Sequence, residues 1–254
     1  MHSIDGHVHV MDKELKPTEV IYNSRVAFID IEPSYWEDYK DCLPIYDKYI
    51  QWAQGRSDVH DILLATAITP ENIIQIREKY KDIIKGYGEL KCYTSWKGED
   101  TGRDLQYYIP LFEYNKKDNL PIYIHWTLFD NQQVNDLEKV LKAYPSTPFV
   151  LCHCGMGNTM DFQRYNIYSN IILLMSHHRN LYVDISFDAM WFFANNPERL
   201  LSLDTDRCIL GSDINPVLER SDKYEKERKR IITTMFDLDK YVNSDKAIRT
   251  IFKI

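Results

Sequence analysis

The sequence predicts an α/β fold, a (β/α)8 barrel of the TIM type that forms a single domain over residues 1–254. Short apolar segments alternate with segments of helical periodicity, which indicates parallel strands joined by right-handed crossovers. About eight such units fit within 254 residues, the usual size of this barrel. An open doubly wound sheet is the alternative, but no glycine-rich phosphate loop follows an early strand.

Each predicted strand is a short, mainly apolar run, as a buried parallel sheet requires. The eight runs are residues 4–10, 25–31, 61–68, 83–92, 121–125, 148–153, 181–186 and 207–213. Helices are predicted over residues 36–54, 105–117, 132–143, 161–177, 189–201, 222–235 and 244–252. A further helix begins at Pro70, because Thr69 is a suitable N-cap and Glu71 favours the positive end of a helix.

The composition argues against several classes of protein. The chain carries 31 Lys and Arg against 38 Asp and Glu, a net charge of −7, which argues against a nucleic-acid partner. No apolar run reaches the ~20 residues of a membrane helix, so no membrane partner is expected. Five cysteines in a chain of this length do not suggest a disulfide framework, and the expected location is the reducing cytoplasm.

Residue types that bind metals lie at the ends of several predicted strands. His7 and His9 are two residues apart in the first strand, so their side chains share one face. Glu89 and Lys91 share a face of the fourth strand in the same way. The fifth, sixth and eighth strands end at His125, His153 and Asp213. Because the carboxyl ends of barrel strands form one rim, the sequence predicts a metal site there.

Each of these residues taken alone also fits a structural role. A histidine at a strand end is more often hydrogen-bonded than metal-bound, and Asp213 fits a turn or a helix cap. Cys152 and Cys154, on either side of His153, are expected to be buried apolar side chains, because neighbours in a strand point to opposite faces. Asp184 fits a supporting role behind a ligand, and a helix-capping or surface role fits equally well.

Five short motifs occur in order between Ile4 and Pro216: IDGHVH, GYGELK, PIYIHW, FVLCHCG and ILGSDINP. Together they resemble the amidohydrolase superfamily, in particular its amidohydrolase-related branch, often called amidohydrolase 2. The resemblance implies a (β/α)8 barrel with one or two divalent metal ions, most often zinc. It implies activation of water for hydrolysis or, in some relatives, decarboxylation of an aromatic acid.

Carried over to this chain, the resemblance implies a set of six metal ligands. They are His7, His9, Glu89, His125, His153 and Asp213. Glu89 would bridge two ions, as a glutamate does in the TatD-type nucleases of a neighbouring branch. A carbamylated Lys91 is the alternative bridge. Without a bridge, the site would hold one ion on His7, His9, His125 and Asp213.

The expected function is a metal-dependent hydrolase that cleaves an amide, ester or related bond of a small molecule. Asp213 would take the proton of the attacking water, and His153 or a metal ion would polarise the scissile bond. Lys91 could hold an anionic group of the substrate, and Trp126 could contact an apolar one or only pack. The alternatives are a TatD-like phosphodiesterase or nuclease, a decarboxylase of the same superfamily, and a barrel that binds without catalysis. Short loops predict an open pocket, or one that a second copy completes in a homo-oligomer.

Overall fold

The structure, a computed structural model, describes ten ranges of the chain. They are residues 6–9, 26–28, 43–53, 62–67, 69–92, 95–96, 99–100, 103–157, 159–213 and 222–254. The first two residues of the predicted opening strand, and residues 36–42 of the first predicted helix, lie outside these ranges.

Eight parallel strands form one sheet, in which neighbours follow one another in chain order. The strands are β1 (Val8–His9), β2 (Val26–Phe28), β3 (Ile62–Ala65), β4 (Ile84–Lys91), β5 (Ile122–His125), β6 (Phe149–Leu151), β7 (Leu181–Ile185) and β8 (Cys208–Leu210). Each of them falls within a predicted strand. A short antiparallel hairpin, Ser95–Trp96 with Glu99–Asp100, follows β4.

Backbone hydrogen bonds join the first and last strands of the sheet. The Gly6 N–H donates to the Leu210 carbonyl at 2.8 Å, and the Asp213 N–H donates to the His7 carbonyl at 2.9 Å. A closed barrel requires such contacts, because they pair the two edges that an open sheet would leave free. The predicted α/β fold class is confirmed, and the order of the strands agrees with a (β/α)8 barrel.

Eight α-helices accompany the strands in the part of the chain that the structure describes. They are α1 (Leu43–Ala53), α2 (Pro70–Lys79), α3 (Ile109–Asn115), α4 (Asn131–Ala143), α5 (Asp161–His177), α6 (Phe187–Asn195), α7 (Asp222–Asp239) and α8 (Ser244–Phe252). As predicted, the Thr69 hydroxyl caps α2 by accepting from the Asn72 N–H at 3.2 Å. The helix predicted over 189–201 is wrong in its second half, where a 3-10 helix covers Pro197–Ser202 because proline has no N–H to continue an α-helix. None of these helices is both long and apolar enough to cross a membrane.

Buried side chains form a layer on each side of the strands. The inner layer fills the barrel with Ile62, Leu64, Tyr123, Val150, Cys152, Tyr182 and Ile209. The outer layer packs the other face of the strands against the helices, with Leu90, Ile122, Phe149, Val183 and Leu210 among its members. Successive residues of a strand enter alternate layers, as the pleat of a strand requires.

Helix α8 closes the end of the barrel formed by the amino ends of the strands. Its Ala247, Ile248 and Ile251 belong to the inner layer, together with Ile62 at the start of β3. A Cβ atom on Gly6, just before β1, would lie 3.3 Å from the Ile248 Cδ1. The carboxyl ends of the strands, at the opposite end, are therefore left for a functional site.

A bulge in β4 turns the polar residues of that strand into the barrel. The pairing of β4 with β5 shifts register between Tyr87 and Leu90. Strict alternation would place Tyr87 and Glu89 on one face, but Tyr87 packs in the outer layer whereas Glu89 contacts His125 inside. Gly88 (φ +114°) leaves room for this turn, since a Cβ there would lie 2.3 Å from a carbonyl oxygen of β5.

Replacing Ile248 by alanine should destabilise the barrel without touching the opposite end. The side chain is fully buried, and truncating a buried isoleucine to alanine costs about 2–5 kcal/mol. Urea unfolding followed by circular dichroism measures the loss. Thr250→Ala, at an exposed position of the same helix, is the control and should change the free energy of unfolding by less than about 0.5 kcal/mol. A loss below about 1 kcal/mol for Ile248→Ala would show that α8 does not seal the barrel.

Candidate active site

The carboxyl ends of the strands bring together all six residues that the sequence predicts as metal ligands. They are His7, His9, Glu89, His125, His153 and Asp213. Five of these side chains are at most 8% exposed, whereas that of Asp213 is 17% exposed. Solvent therefore reaches the cluster chiefly at Asp213.

Three donor atoms form a compact triangle, which we call the first donor group. The His7 Nε2 lies 3.3 Å from the His9 Nε2 and 3.4 Å from the Asp213 Oδ1. The His9 Nε2 lies 3.1 Å from the same carboxylate oxygen. A tetrahedral zinc ion with ligands at about 2.0–2.1 Å holds its ligand atoms about 3.3–3.4 Å apart. The triangle therefore has the spacing of three zinc ligands, with a fourth position left open.

The hydrogen-bonding state of His7 makes a cation a good fit for this triangle. The His7 Nδ1 donates to the Asp184 Oδ2 at 2.6 Å, and both side chains are fully buried. Since a carboxylate oxygen can only accept, the His7 Nδ1 carries a hydrogen, and in the neutral form of the ring the Nε2 presents a lone pair. That lone pair faces the Asp213 Oδ1, which is also an acceptor. Two acceptors facing each other repel, and a metal ion between them removes the repulsion.

Glu89, His125 and His153 form the second donor group. The Glu89 Oε1 lies 2.5 Å from the His125 Nδ1 and 3.1 Å from the His153 Nε2. The other oxygen, Oε2, lies 3.8 Å from the His9 Nε2 and also contacts the Lys91 ammonium. Glu89 thus presents one oxygen to each donor group, which is the arrangement that a bridging carboxylate needs.

Neighbouring charged and hydrogen-bonding groups keep both carboxylates of the cluster ionised. Burial raises the pKa of Glu89, but the positive charge of Lys91 and the hydrogen bond from His125 outweigh burial and hold this pKa well below its ordinary value. Burial likewise raises the pKa of Asp213, and His153 with the other imidazoles outweighs it, so this pKa is also well below its ordinary value. Both side chains therefore offer charged oxygens at neutral pH, the form in which carboxylates bind metals.

The pKa values of the two histidines in the second donor group are shifted in opposite directions. Burial lowers the pKa of His125 to about 4, although Glu89 acts to raise it. Burial also lowers the pKa of His153, but Asp213 and Glu89 outweigh burial and raise this pKa above its ordinary value. His125 is therefore neutral at neutral pH, as a metal ligand must be, whereas His153 holds its proton more readily and can donate a hydrogen bond.

Left-handed backbone conformations are concentrated at the ends of β6, β7 and β8. The residues are His153 (φ 53°), Cys154 (φ 52°), Phe187 (φ 45°) and Asp213 (φ 53°). Such a conformation costs a non-glycine residue about 1–3 kcal/mol and is typical of functional sites. The strand predicted over 148–153 is wrong at its end, because β6 stops at Leu151 and a 3-10 turn covers Cys152–Gly155. His153 therefore lies in this turn and not in the strand.

Lys91 and Trp126, the two predicted substrate contacts, are both buried. The Lys91 ammonium contacts Glu89, and the Trp126 indole N–H donates to a backbone carbonyl of α4 at 3.1 Å. Their contact with a substrate stays a prediction, since both polar groups have partners within the protein. Phe187, in contrast, is 45% exposed, and its ring centroid lies 5.8 Å from that of His153.

Ser186 is a residue of the site that the sequence reasoning missed. It follows β7, two positions after Asp184, and its hydroxyl lies 2.6 Å from the Asp184 Oδ2 and 2.8 Å from the His153 Nδ1. Asp184 takes the supporting role that the sequence left open, because it accepts the hydrogen bond of His7. The two-residue spacing between Asp184 and Ser186 is the sequence signal for this role, since it places both side chains on the same face.

The sequence profile of one protein family, described as amidohydrolase, matches residues 75–241, well over half of the chain. The chain belongs to the amidohydrolase family. The predicted resemblance to its amidohydrolase-related branch is confirmed, and the protein is an enzyme of the hydrolase type. The matched stretch contains Glu89, His125, His153 and Asp213. The TatD-like ligand pattern stays a prediction.

Solved structures of amidohydrolases share the fold. An amidohydrolase from Burkholderia multivorans with bound HEPES aligns over 100% of both chains at 8% identity and a TM-score of 0.64. An amidohydrolase structure from the same organism with bound zinc covers 90% of this chain and 82% of its own, at 9% identity and a TM-score of 0.59. A probable 2-pyrone-4,6-dicarboxylic acid hydrolase from Acinetobacter baumannii with citric acid bound covers 100% of both chains, at 13% identity and a TM-score of 0.55. No curated protein sequence matches the chain.

A side chain at Gly211 should disturb the pair formed by His7 and Asp184. A Cβ atom there would lie 2.4 Å from the His7 Cβ and 2.8 Å from the Asp184 Oδ1. Gly211→Ala is therefore expected to lower the free energy of unfolding of the metal-free protein by about 1–3 kcal/mol. Urea unfolding measures the change. A free energy within about 0.5 kcal/mol of the wild-type value would contradict this close packing.

Proposed function

We propose that this protein is a metal-dependent hydrolase that uses one or two divalent ions to cleave an amide, ester or related bond of a small molecule. The triangle of His7 Nε2, His9 Nε2 and Asp213 Oδ1 carries the proposal, because its sides of 3.1, 3.3 and 3.4 Å match the ligand spacing of one zinc ion. Membership of the amidohydrolase family supports the hydrolase class. In this proposal residues 1–254 form a single barrel domain.

Each donor group would hold one ion. The first ion would bind His7, His9 and Asp213, and the second would bind Glu89, His125 and His153. One carboxylate with two imidazoles suits zinc, although manganese, iron and nickel accept the same ligands. The zinc bound by an amidohydrolase of similar fold supports zinc.

Glu89 is the proposed bridge between the two ions. One of its oxygens lies towards His9 and the other lies against His153, so a single carboxylate spans the two donor groups. The ammonium of Lys91 contacts Glu89 and supplies a positive charge to it. That contact favours Lys91 as a counter-charge over Lys91 as a carbamylated bridge.

A divalent ion supplies Lewis acidity, which makes a water molecule acidic enough to lose a proton near neutral pH. Asp213 is the proposed proton acceptor, because its Oδ1 belongs to the triangle while its Oδ2 remains for the proton. The same carboxyl group would then deliver the proton to the leaving group. In a site with one ion, the protonated ring of His153 would donate a hydrogen bond from its Nε2 to the scissile oxygen and stabilise the charge that develops there.

A phosphodiesterase of the TatD kind is the second candidate. The position of Glu89 between the donor groups favours it, since two ions can stabilise both the attacking and the leaving oxygen of a phosphoryl transfer. The net charge of −7 counts against a nucleic acid as the substrate.

A decarboxylase, the third candidate, would need one ion and would release carbon dioxide. Assays with an ester, an amide and a phosphodiester, with detection of carbon dioxide for aromatic acids, separate the three.

The surroundings of the site support a small substrate with an apolar part. The exposed ring of Phe187 stands beside His153, where such a part could pack.

The cytoplasm is the proposed location, because the four cysteines within the described ranges are all free. A homo-oligomer stays a prediction from the short loops.

Asp213→Asn should lower kcat by about 10²–10⁴-fold, because an amide cannot take up the proton. The assay uses zinc-loaded protein with p-nitrophenyl ester, amide and phosphodiester substrates, and metal analysis establishes that the variant still holds zinc. Asp82→Asn, at an exposed position after α2, is the control and should leave kcat unchanged. Full activity of zinc-loaded Asp213→Asn would exclude Asp213 as the proton acceptor.

Glu89→Gln should lower the zinc content from two ions per chain to one, because a neutral amide is a poor bridge. The protein is treated with a chelator, reloaded with zinc, desalted and measured by mass spectrometry of the metal. Chelation should abolish activity, and zinc should restore it. Glu113→Gln, at an exposed position of α3, is the control. If wild type and Glu89→Gln each hold one ion, the site binds a single ion and Glu89 is not a bridge. If the wild type holds no zinc, the proposed function is wrong.

A further inference from the structure

We propose that Ser186 is a positioning residue: together with Asp184 it orients the His153 ring and keeps a hydrogen on its Nδ1, so that the Nε2 faces the site. The effect on turnover rests on the proposed function, because that function gives His153 its role. The orientation of the ring rests on the contacts of three buried side chains alone.

One oxygen of Asp184 supports a histidine in each donor group. The Oδ2 accepts from the His7 Nδ1 at 2.6 Å and from the Ser186 hydroxyl at 2.6 Å. It also lies 3.4 Å from the backbone N–H of His153. The rings of His7 and His153 lie nearly parallel, at 26°, with centroids 5.4 Å apart. Asp184 therefore reaches His7 directly and the His153 ring through Ser186.

The single hydrogen of the Ser186 hydroxyl determines the direction of this chain of bonds. The carboxylate of Asp184 can only accept, so Ser186 donates its hydrogen to Asp184. The lone pairs of Ser186 then face the His153 Nδ1 at 2.8 Å, and this nitrogen must donate to form the second bond. The Nε2, on the other side of the ring, lies 3.1 Å from the Glu89 Oε1. It is the ring nitrogen that a ligand of the site would contact.

Ser186 does not make the capping hydrogen bond that its position at the start of α6 would allow. It is the N-cap of α6, where a serine hydroxyl normally accepts from an N–H of the first turn, but its hydroxyl makes no capping bond. The next residue, Phe187, is left-handed, with φ 45°. The hydroxyl is used by Asp184 and His153 instead, as expected of a residue placed for the site and not for the helix.

The experiment compares Ser186→Ala with Ser186→Thr, which keeps the hydroxyl, and with Ser244→Ala. Ser244, the first residue of α8, is a matched control, because it is another buried serine and its Oγ accepts from the Leu210 N–H at 2.9 Å. Long-range ¹H–¹⁵N correlations of histidine-labelled, metal-free protein, recorded at a pH where the imidazoles are neutral, report which nitrogen of His153 carries the hydrogen. Steady-state kinetics of the zinc-loaded proteins, with the same test substrates, report the effect on turnover.

In wild type and Ser186→Thr the hydrogen of His153 should lie on Nδ1, whereas Ser186→Ala should show the Nε2–H form as well. Ser186→Ala should lower kcat by about 10–100-fold with KM changed by less than about threefold, and Ser186→Thr should recover most of the loss. Ser244→Ala should lower the melting temperature while keeping the wild-type tautomer and kcat.

An unchanged Nδ1–H form in Ser186→Ala would overturn the proposal, and so would an equal loss of kcat in Ser244→Ala. Failure of the proposed function is a separate result. If zinc-loaded wild-type protein cleaves none of the substrates, the hydrolase assignment fails, while the tautomer measured in the metal-free protein still decides the role of Ser186.

Discussion

The buried hydrogen bond from the His7 Nδ1 to the Asp184 Oδ2 is the contact on which the site depends. It places the hydrogen of the neutral His7 ring on Nδ1 and turns the lone pair of the Nε2 towards His9 and Asp213. The same carboxylate oxygen reaches His153 through Ser186. A single buried carboxylate thus contacts a histidine of the first donor group directly and a histidine of the second donor group through Ser186.

The barrel holds the strained backbone that this arrangement needs. Asp213 has a left-handed conformation, and its N–H is tied to the His7 carbonyl across the junction of the first and last strands. His153 is held by its ring contacts to Ser186 and Glu89 while its backbone is left-handed. The core on both faces of the sheet, with α8 at the opposite end, supplies the stability that offsets this strain.

Local chemistry explains which features of the fold and site could be predicted. Thr69 and Pro70 mark the start of α2 by capping and by the fixed φ of proline, and both act within a few residues. The pairing of His7 with His9 on one face follows from the two-residue period of a strand. The two-residue spacing correctly predicts that Glu89 and Lys91 share a face. It does not predict that this face lies inside the barrel, because the bulge after Tyr87 puts Tyr87 and Glu89 on opposite faces of the strand.

The sequence by itself determined the barrel class, the succession of its strands and the residues that reach the carboxyl ends, because periodicity and capping are properties of neighbouring residues. Only the tertiary structure decided which of those residues meet. His7 and Asp184 are 177 residues apart in the chain and form a contact of 2.6 Å, and Ser186 lies between Asp184 and His153. Such contacts depend on how strands pair across the barrel and on the left-handed turns that end them, and neither is encoded in the spacing of side chains along a single strand.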